Sequence, residues 1–341
     1  MKRNDFKDFF STQVQAGQSV GRITRLTHGL YVVGDDTCER NGEVSGRFHH
    51  MAASDSDYPA VGDWVVFEPY DHGERAKIHQ VLQRKTVLSR KQAGGSHKEQ
   101  VIAANVDAVF IVTALTQEFN LRRIERYAEQ IYESGARPVV VCTKKDLCED
   151  FSARIAEVEG VAPGIPVYAI DSLTGDGVEE LRSELNPGET ISLVGSSGVG
   201  KSTLINHLLG SQIQITQGVR EEDDRGRHTT THRELFELPN GTFIIDTPGM
   251  RELQLWGGKE EDVDKAFSDI ETVSVNCKFR DCKHDKEPGC AVLQAIEAGD
   301  LDEARLKSYN KLKRERKRLE LKDRYGTHRT NRMLHGPNAM K

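Results

Sequence analysis

Two short motifs stand in this sequence in an order that constrains how the chain can wind. Gly195-Ser196-Ser197-Gly198-Val199-Gly200-Lys201-Ser202 matches G-x-x-x-x-G-K-S, directly after the apolar run Ile191-Ser192-Leu193-Val194 and before a helix-like stretch that opens at Thr203. A strand, a glycine-rich turn and a helix in that succession form an anion-binding nest. The turn's N–H groups converge at a helix N-terminus, and the lysine neutralises outer phosphates. Thr143-Lys144-Lys145-Asp146 lies upstream, after the apolar run from Pro138 to Cys142. Its side chains would emerge at the carboxyl edge of a parallel sheet, where doubly wound folds bind ligands. There Asp146 can accept hydrogen bonds from guanine N1–H and the exocyclic amine, whereas adenine would face the carboxylate with a lone pair. A base box placed before the phosphate loop reverses the usual order of a GTP-binding domain. The reversal suggests a circular permutation, which keeps the packed sheet and moves the chain ends.

The remaining boxes complete the expected site. Asp246-Thr247-Pro248-Gly249 closes the strand-like run from Thr242 to Ile245, so Asp246 can hold magnesium through water and the Gly249 N–H can face the terminal phosphate. Thr229, Thr230 and Thr231 stand between this box and the phosphate loop, and Thr230 is the chosen magnesium ligand alongside Ser202. Ser172-Leu173-Thr174-Gly175 follows the next strand and suits the last guanine-contacting loop. The nucleotide is thus assigned to Thr143, Lys144, Lys145, Asp146, Ser172, Leu173, Gly195, Ser196, Ser197, Gly198, Val199, Gly200, Lys201, Ser202, Thr203, Asp246 and Gly249. Thr143 occupies a place where asparagine is usual, which leaves the loop-bracing hydrogen bond of that box in question. Met250 stands where many GTPases carry a water-orienting glutamine, so slow intrinsic turnover is expected. His228, ahead of His232, is the candidate to order water once a partner fixes its loop. Lys201, Thr230 and His228 form the expected catalytic set.

A chain of 341 residues is long for one core, and its patterning changes twice. Before about residue 90, alternating runs at Gly21–Leu26, Leu30–Gly34, Gly42–Phe48, Asp63–Phe67 and Ala76–Leu82 are separated by Gly and Asp turns. Five such runs fit a small β-barrel of the oligonucleotide-binding (OB) type. Arg22, Arg25, Arg40, Arg47 and His49 are candidates to follow a nucleic-acid backbone, although an ordinary solvated barrel accounts for them equally well. The polar stretch 91–100 has a linker's composition. Beyond it, six apolar runs between Val106 and Asp246 alternate with helical patterns, which implies a doubly wound α/β domain. Past residue 259, Cys277, Cys282, His284 and Cys290 offer three thiolates and an imidazole, a set for a closed, structural zinc site. Cys38, Cys142 and Cys148 read as isolated packing thiols. A long charged helical stretch follows, and basic residues crowd the region from Lys311 through Arg332. The formal net charge of -6 argues against uniform nucleic-acid affinity and confines it to such patches. The expected domains are 1–92 (extension and barrel), 100–258 (permuted GTPase) and 259–341 (zinc-binding, helical). No apolar run is long enough to span a bilayer and the start lacks a signal peptide's apolar stretch, so a cytoplasmic protein with no membrane partner is expected.

The order of the boxes, the run Gly226-Arg227-His228-Thr229-Thr230-Thr231-His232-Arg233-Glu234-Leu235, the Asp246-Thr247-Pro248-Gly249 box and the C-x4-C-x-H-x5-C cluster together resemble the RsgA (YjeQ, EngC) family of small-ribosomal-subunit biogenesis GTPases. The resemblance covers nearly the whole chain. It implies an OB barrel, a permuted GTPase domain and a C-terminal zinc-binding domain. It further implies late maturation of the bacterial small (30S) subunit, with release coupled to GTP hydrolysis. The expected cofactors are GTP/GDP, magnesium and one structural zinc per chain. The expected partners are the small ribosomal subunit and its rRNA, with the protein acting as a monomer. Two other functions stay open at this point. One is an RNA-binding scaffold gated by nucleotide, in which hydrolysis is incidental. The other is a P-loop ATPase or small-molecule kinase, against which Asp146 and the Ser172–Gly175 loop both argue.

Overall fold

A computed structural model of the chain describes residues 6, 8–27, 29–91, 99–117, 119–210, 233–246 and 266–325. After a short helix α1 (Asp8–Ser11) come five strands: β1 (Ser19–Thr27), β2 (Leu30–Gly34), β3 (Glu39–Val44), β4 (Trp64–Tyr70) and β5 (Arg75–Val81). They hydrogen-bond in the order β1-β2-β3-β5-β4, and β4 returns to pair with β1, which closes a barrel. Val33, Val65 and Ile78, from β2, β4 and β5, are fully buried. The third alternating run ends earlier than its pattern implies. The Ser45 hydroxyl accepts the Phe48 N–H at 3.1 Å and caps a helix, α2 (Gly46–Met51), where strand was expected to continue to Phe48. The polar stretch expected to be a linker is flanked by a hairpin, β6 (Val87–Lys91) with β7 (Glu99–Ala104); residues 92–98 lie outside the described residues.

The six apolar runs of the α/β domain form β8 (Ala108–Ala114), β9 (Arg137–Thr143), β10 (Val167–Ala169), β11 (Thr190–Val194), β12 (Arg233–Glu237) and β13 (Phe243–Asp246). Between them run α3 (Leu121–Ser134), α4 (Phe151–Val161), α5 (Val178–Arg182) and α6 (Lys201–Leu209). The spatial order is β10-β9-β8-β11-β13-β12, parallel throughout except for β12. Every residue of β8 and of β11 is buried, as parallel strands covered on both faces require. Contacts divide the chain into two compact units. The first comprises Met1–Phe119, Ser134–Ile155 and Pro166–Trp256, and so holds the barrel together with this sheet.

Within that unit the two sheets are one. β12 pairs with β1 of the barrel, giving eleven hydrogen-bonded strands. The first half of β1 closes the barrel against β4 through Ser19–Arg22, and its second half pairs with β12 through Arg25 and Leu26. A register shift between Ile23 and Arg25 marks the place where the strand leaves one partner for the other. Arg22 fastens the same junction. It is 2% exposed, its guanidinium donates to the Thr190 hydroxyl at 2.6 Å and to the Gly62 carbonyl at 3.2 Å, and it lies between the Trp64 and Phe243 rings. Arg22 therefore cannot follow a nucleic-acid backbone. Arg40 is held by Asp35 at 2.6 Å and Arg25 by Glu234, so of the five basic candidates Arg47 and His49 are the exposed ones that keep that reading.

The second unit comprises Asn120–Glu133, Ala156–Ile165 and Gly257–Lys341. Its described helices are α3, the end of α4, α7 (Ser268–Ser274), α8 (Ala291–Ala298) and α9 (Glu303–Tyr325). Phe267, Ile270, Val292, Leu306, Tyr309 and Leu312 form its core, with Tyr132 of α3 packed against it. Buried Arg305 on α9 gathers the segments: it pairs with Asp269 at 2.5 Å and Glu125 at 3.1 Å, donates to the Val161 carbonyl and to Ala266 O at 3.0 Å, and stacks over Phe267. A buried guanidinium is tolerable only when its donors are satisfied in this way. Among the described residues no helix is long and apolar enough to cross a membrane.

Candidate nucleotide and metal sites

The glycine-rich turn joins the end of β11 to the start of α6. Gly195 has φ +146°, and a Cβ there would sit 2.2 Å from the Val112 carbonyl oxygen, so only glycine lets the turn pass this close to β8. Gly200, at φ +99°, precedes the first residue of α6, and its carbonyl accepts the Leu204 N–H at 2.9 Å. The Lys201 ammonium folds over the loop and donates to the carbonyls of Gly195 and Ser196, both at 2.6 Å. That places the cation inside the arc where phosphates bind in a nest of this kind. Ser202, one residue on, is exposed at the helix start.

The base box begins where β9 ends, two strands away. Thr143 is fully buried, and its hydroxyl donates to the Val199 carbonyl at 2.5 Å, with the Thr113 carbonyl at 3.3 Å. The threonine thus braces the phosphate loop in place of the usual asparagine. Lys144 adopts the left-handed conformation, φ 58° and ψ 41°, a cost a non-glycine residue bears when a tight turn demands it. Lys145 pairs with Asp176 of the following loop at 2.8 Å, while Asp146 is exposed. Cys142, just before the box, is buried, and burial pushes its thiol up to about 12, as a packing residue requires. Cys38 departs from that expectation: it is exposed on a turn where the Asp35 carboxylate accepts the N–H groups of Thr37 and Cys38.

After β10, Asp171 organises the last loop. Its carboxylate accepts the Thr174 hydroxyl at 2.5 Å and the Leu173 N–H at 2.8 Å, and these bonds hold it below the usual carboxylate range. The Leu173 N–H is therefore committed within the loop, while the residue as a whole is 79% exposed. The Ser172 hydroxyl is buried yet has no hydrogen-bond partner among the described residues. A Cβ built on Gly200 would lie 3.7 Å from both the Ser172 and Thr143 hydroxyls, so three boxes far apart in sequence meet at one sheet edge. An orphaned buried hydroxyl at that meeting point fits a ligand able to hydrogen-bond, as a guanine nucleotide is. Asp246 ends β13 beside β11, on the edge that carries the glycine-rich turn, and with Ser202 supplies oxygen ligands of the kind magnesium takes. His228, Thr230, His232, Gly249 and Met250 lie outside the described residues.

The four residues of the Cys/His cluster meet in the second unit, their ligand atoms all within 4.8 Å of one another. Cys277 Sγ lies 3.9 Å from Cys290 Sγ and 3.7 Å from His284 Nδ1, and His284 Nδ1 lies 3.4 Å from Cys290 Sγ. Zinc bonds of ~2.3 Å to sulfur and ~2.0 Å to nitrogen, arranged tetrahedrally, give edges of about 3.5–3.8 Å. The donor set therefore fits zinc through Nδ1 of His284. Burial opposes ionisation of Cys277, but the Val292 and Ala291 N–H groups at the start of α8, together with hydrogen bonds from the Cys290 and Cys282 thiols, hold it below its ordinary value. Burial also holds His284 down, which keeps the imidazole in its neutral, ligating form.

Comparison with known proteins places these features in a family. A family model described as RsgA GTPase matches residues 81–256. The chain is 43% identical to "Small ribosomal subunit biogenesis GTPase RsgA 2" of Lactiplantibacillus plantarum, over 100% of its own length and 97% of the relative's. It is 48% identical to "Small ribosomal subunit biogenesis GTPase RsgA 1" of Oceanobacillus iheyensis, over 82% of this chain and 80% of that one. Among solved structures it resembles YjeQ from Thermotoga maritima, with a TM-score of 0.68 at 27% identity, covering 88% of this chain and 98% of the other. It likewise resembles YloQ, described as a circularly permuted GTPase, with a TM-score of 0.66 at 27% identity, covering 89% and 96% of the two chains. The box that begins at Thr143 precedes the glycine-rich turn in the chain and meets it at one sheet edge, an order that agrees with the description of YloQ as circularly permuted, and the chain belongs to the RsgA family of GTP-hydrolysing enzymes.

Proposed function

We propose that this protein hydrolyses GTP in the late maturation of the small (30S) ribosomal subunit, docking on the subunit's rRNA in the cytoplasm as a monomer. The observation that carries the reading is the meeting of Thr143, Ser172 and Gly200 at one sheet edge, in relatives' company whose printed names specify small-subunit biogenesis. Asp146 selects guanine, Lys201 and the loop from Gly195 to Thr203 bind phosphates, and Ser202, Thr230 and Asp246 hold magnesium. One zinc per chain, on Cys277, Cys282, His284 and Cys290, has a structural role. The division into residues 1–92, 100–258 and 259–341 separates barrel, GTPase and zinc modules by function.

Hydrolysis is expected to be slow in the free protein and faster on the subunit, because Met250 cannot orient water and His228 can once its segment is fixed. Sedimentation with purified subunits is expected to show binding to the small subunit in a non-hydrolysable GTP analogue and not in GDP. His228→Ala is expected to retain that binding and lose most of the stimulated turnover, by about 10²-fold or more. Unstimulated hydrolysis in the presence of small subunits would instead favour a nucleotide-gated scaffold.

Thr143→Val removes the brace on the phosphate loop while keeping its volume. A buried Val199 carbonyl left without its donor costs ~1–3 kcal/mol, so affinity for GTP and GDP alike is expected to fall by roughly tenfold or more. Thr143→Ser is expected to restore most of it, with equilibrium nucleotide titration as the measurement.

A further inference from the structure

The barrel contributes a charge to the row that ends at the magnesium carboxylate. Arg25 of β1 is directly opposite Glu234 of β12, and Glu234 is directly opposite Asp246 of β13. Residues opposed across antiparallel strands point to the same face, so the three side chains line up across three neighbouring strands. Their face is set by Phe236 and Ile244, two residues along the same strands and themselves an opposed pair. Both pack in one cluster with Leu204, Ile205 and Leu208 of α6, the helix that begins with Lys201 and Ser202. The row thus runs on the phosphate-loop side of the sheet.

Two carboxylates directly opposed in a sheet repel each other, and a sheet that keeps such a pair needs a compensating cation. Arg25 supplies it. Its Nε donates to Glu234 Oε1 at 3.0 Å, and its Nη2 donates to the same oxygen. The pair is part-buried, the side chains 39% and 21% exposed, so its field is less screened than that of a fully solvated pair.

We propose that Arg25 is a positioning residue for nucleotide binding: it neutralises Glu234, keeps that carboxylate from competing with Asp246 for magnesium, and removes a negative charge that would oppose a triphosphate. The inference rests on the reading that Asp246 anchors magnesium. It makes a barrel side chain part of the electrostatics of the GTPase site, and it gives the ratio of GTP to GDP affinity a determinant outside the nucleotide motifs. The triphosphate carries one more negative charge than the diphosphate, so a change of one unit at Glu234 acts on their difference.

The test is the ratio of affinities for a non-hydrolysable GTP analogue and for GDP, measured on the full chain with saturating magnesium at low and high salt. Arg25→Met exposes the Glu234 charge and is expected to shift the ratio against the triphosphate by about fivefold to tenfold at low salt, and by less at high salt. Glu234→Gln leaves Arg25 uncompensated and is expected to shift it the opposite way. The double substitution is expected to return near the starting ratio, and Arg25→Lys to retain most of it. An unchanged ratio in both single variants overturns the proposal. So does a loss of equal size in Arg25→Met and in the double variant, which assigns Arg25 to holding the barrel in place. If Arg25→Met does not fold, the sign of the Glu234→Gln shift decides alone. Asp246→Asn run alongside separates the two layers: no change in its magnesium dependence removes the Asp246 reading and this proposal with it. A clear change there, with unmoved Arg25 and Glu234 variants, removes only the proposal.

Discussion

Asp146→Asn is expected to exchange the protein's preferred nucleotide. In the proposed site the Asp146 carboxylate would face two donors on guanine, N1–H and the exocyclic amine; an amide offers one acceptor and brings its own donor against the second. Each mismatched polar group in a dry contact costs ~1–3 kcal/mol, so GTP affinity should fall by about 10³-fold. Xanthine carries an oxygen where guanine carries the amine, which meets the new amide donor, so xanthosine triphosphate should bind the variant more tightly than GTP. Asp146 is exposed at the end of β9 and Thr143, not Asp146, supports the phosphate loop, so the substitution should leave the fold intact. Competition binding with both triphosphates checks the prediction. Undiminished GTP preference in the variant would remove the base-recognition assignment.

Removal of zinc is the second large effect. Cys290 is a member of the second unit's core and directly precedes α8, and Cys277 packs against that core, so a zinc held by both would close the loop between them. The described core of that unit is small, and structural zinc sites contribute on the order of 10 kcal/mol at neutral pH. Elemental analysis is expected to find one zinc per chain. Chelation, or Cys290→Ser, is expected to abolish protection from hydrogen exchange over residues 277–299 while the amides of β8 and β11 keep theirs. Protein purified without chelator and free of zinc, yet fully protected there, would sink the assignment.

Much of this molecule was legible because its chemistry lies in contiguous runs. The glycine-rich turn, the Thr143–Asp146 box and the Cys/His cluster are each recognisable within a few residues, and the fully buried strands β8 and β11 read as unbroken apolar stretches. What alternation cannot reveal is the edge partner of a strand. Nothing in Gly21 to Leu26 says that half of β1 belongs to another sheet, so Arg22 and Arg25 read as surface cations when their partners, Thr190 and Glu234, lie 168 and 209 residues away. Local side-chain competition was equally hidden: Ser45 turned an apparent strand into a helix, and Asp171 claimed the Leu173 N–H within the loop expected to contact guanine. Thr143 shows the reverse case, in which an unusual residue type still braces the phosphate loop because its hydroxyl reaches the Val199 carbonyl.

The shared strand β1 also bears on how the chain is made. A barrel at the N-terminus can close as soon as β5 has been synthesised, but the second half of β1 then presents open backbone groups until β12 arrives. During that interval the barrel is a template awaiting its complement, and any other strand in reach can compete for the position. The converse holds for a chain stripped of its first ninety or so residues, whose β12 becomes a bare sheet edge carrying Leu235 and Phe236. Permutation placed the chain ends so that barrel and GTPase look like consecutive beads. Their hydrogen bonds make them a single object that folds to completion late, and neither can be exchanged or deleted without giving the other an adhesive edge.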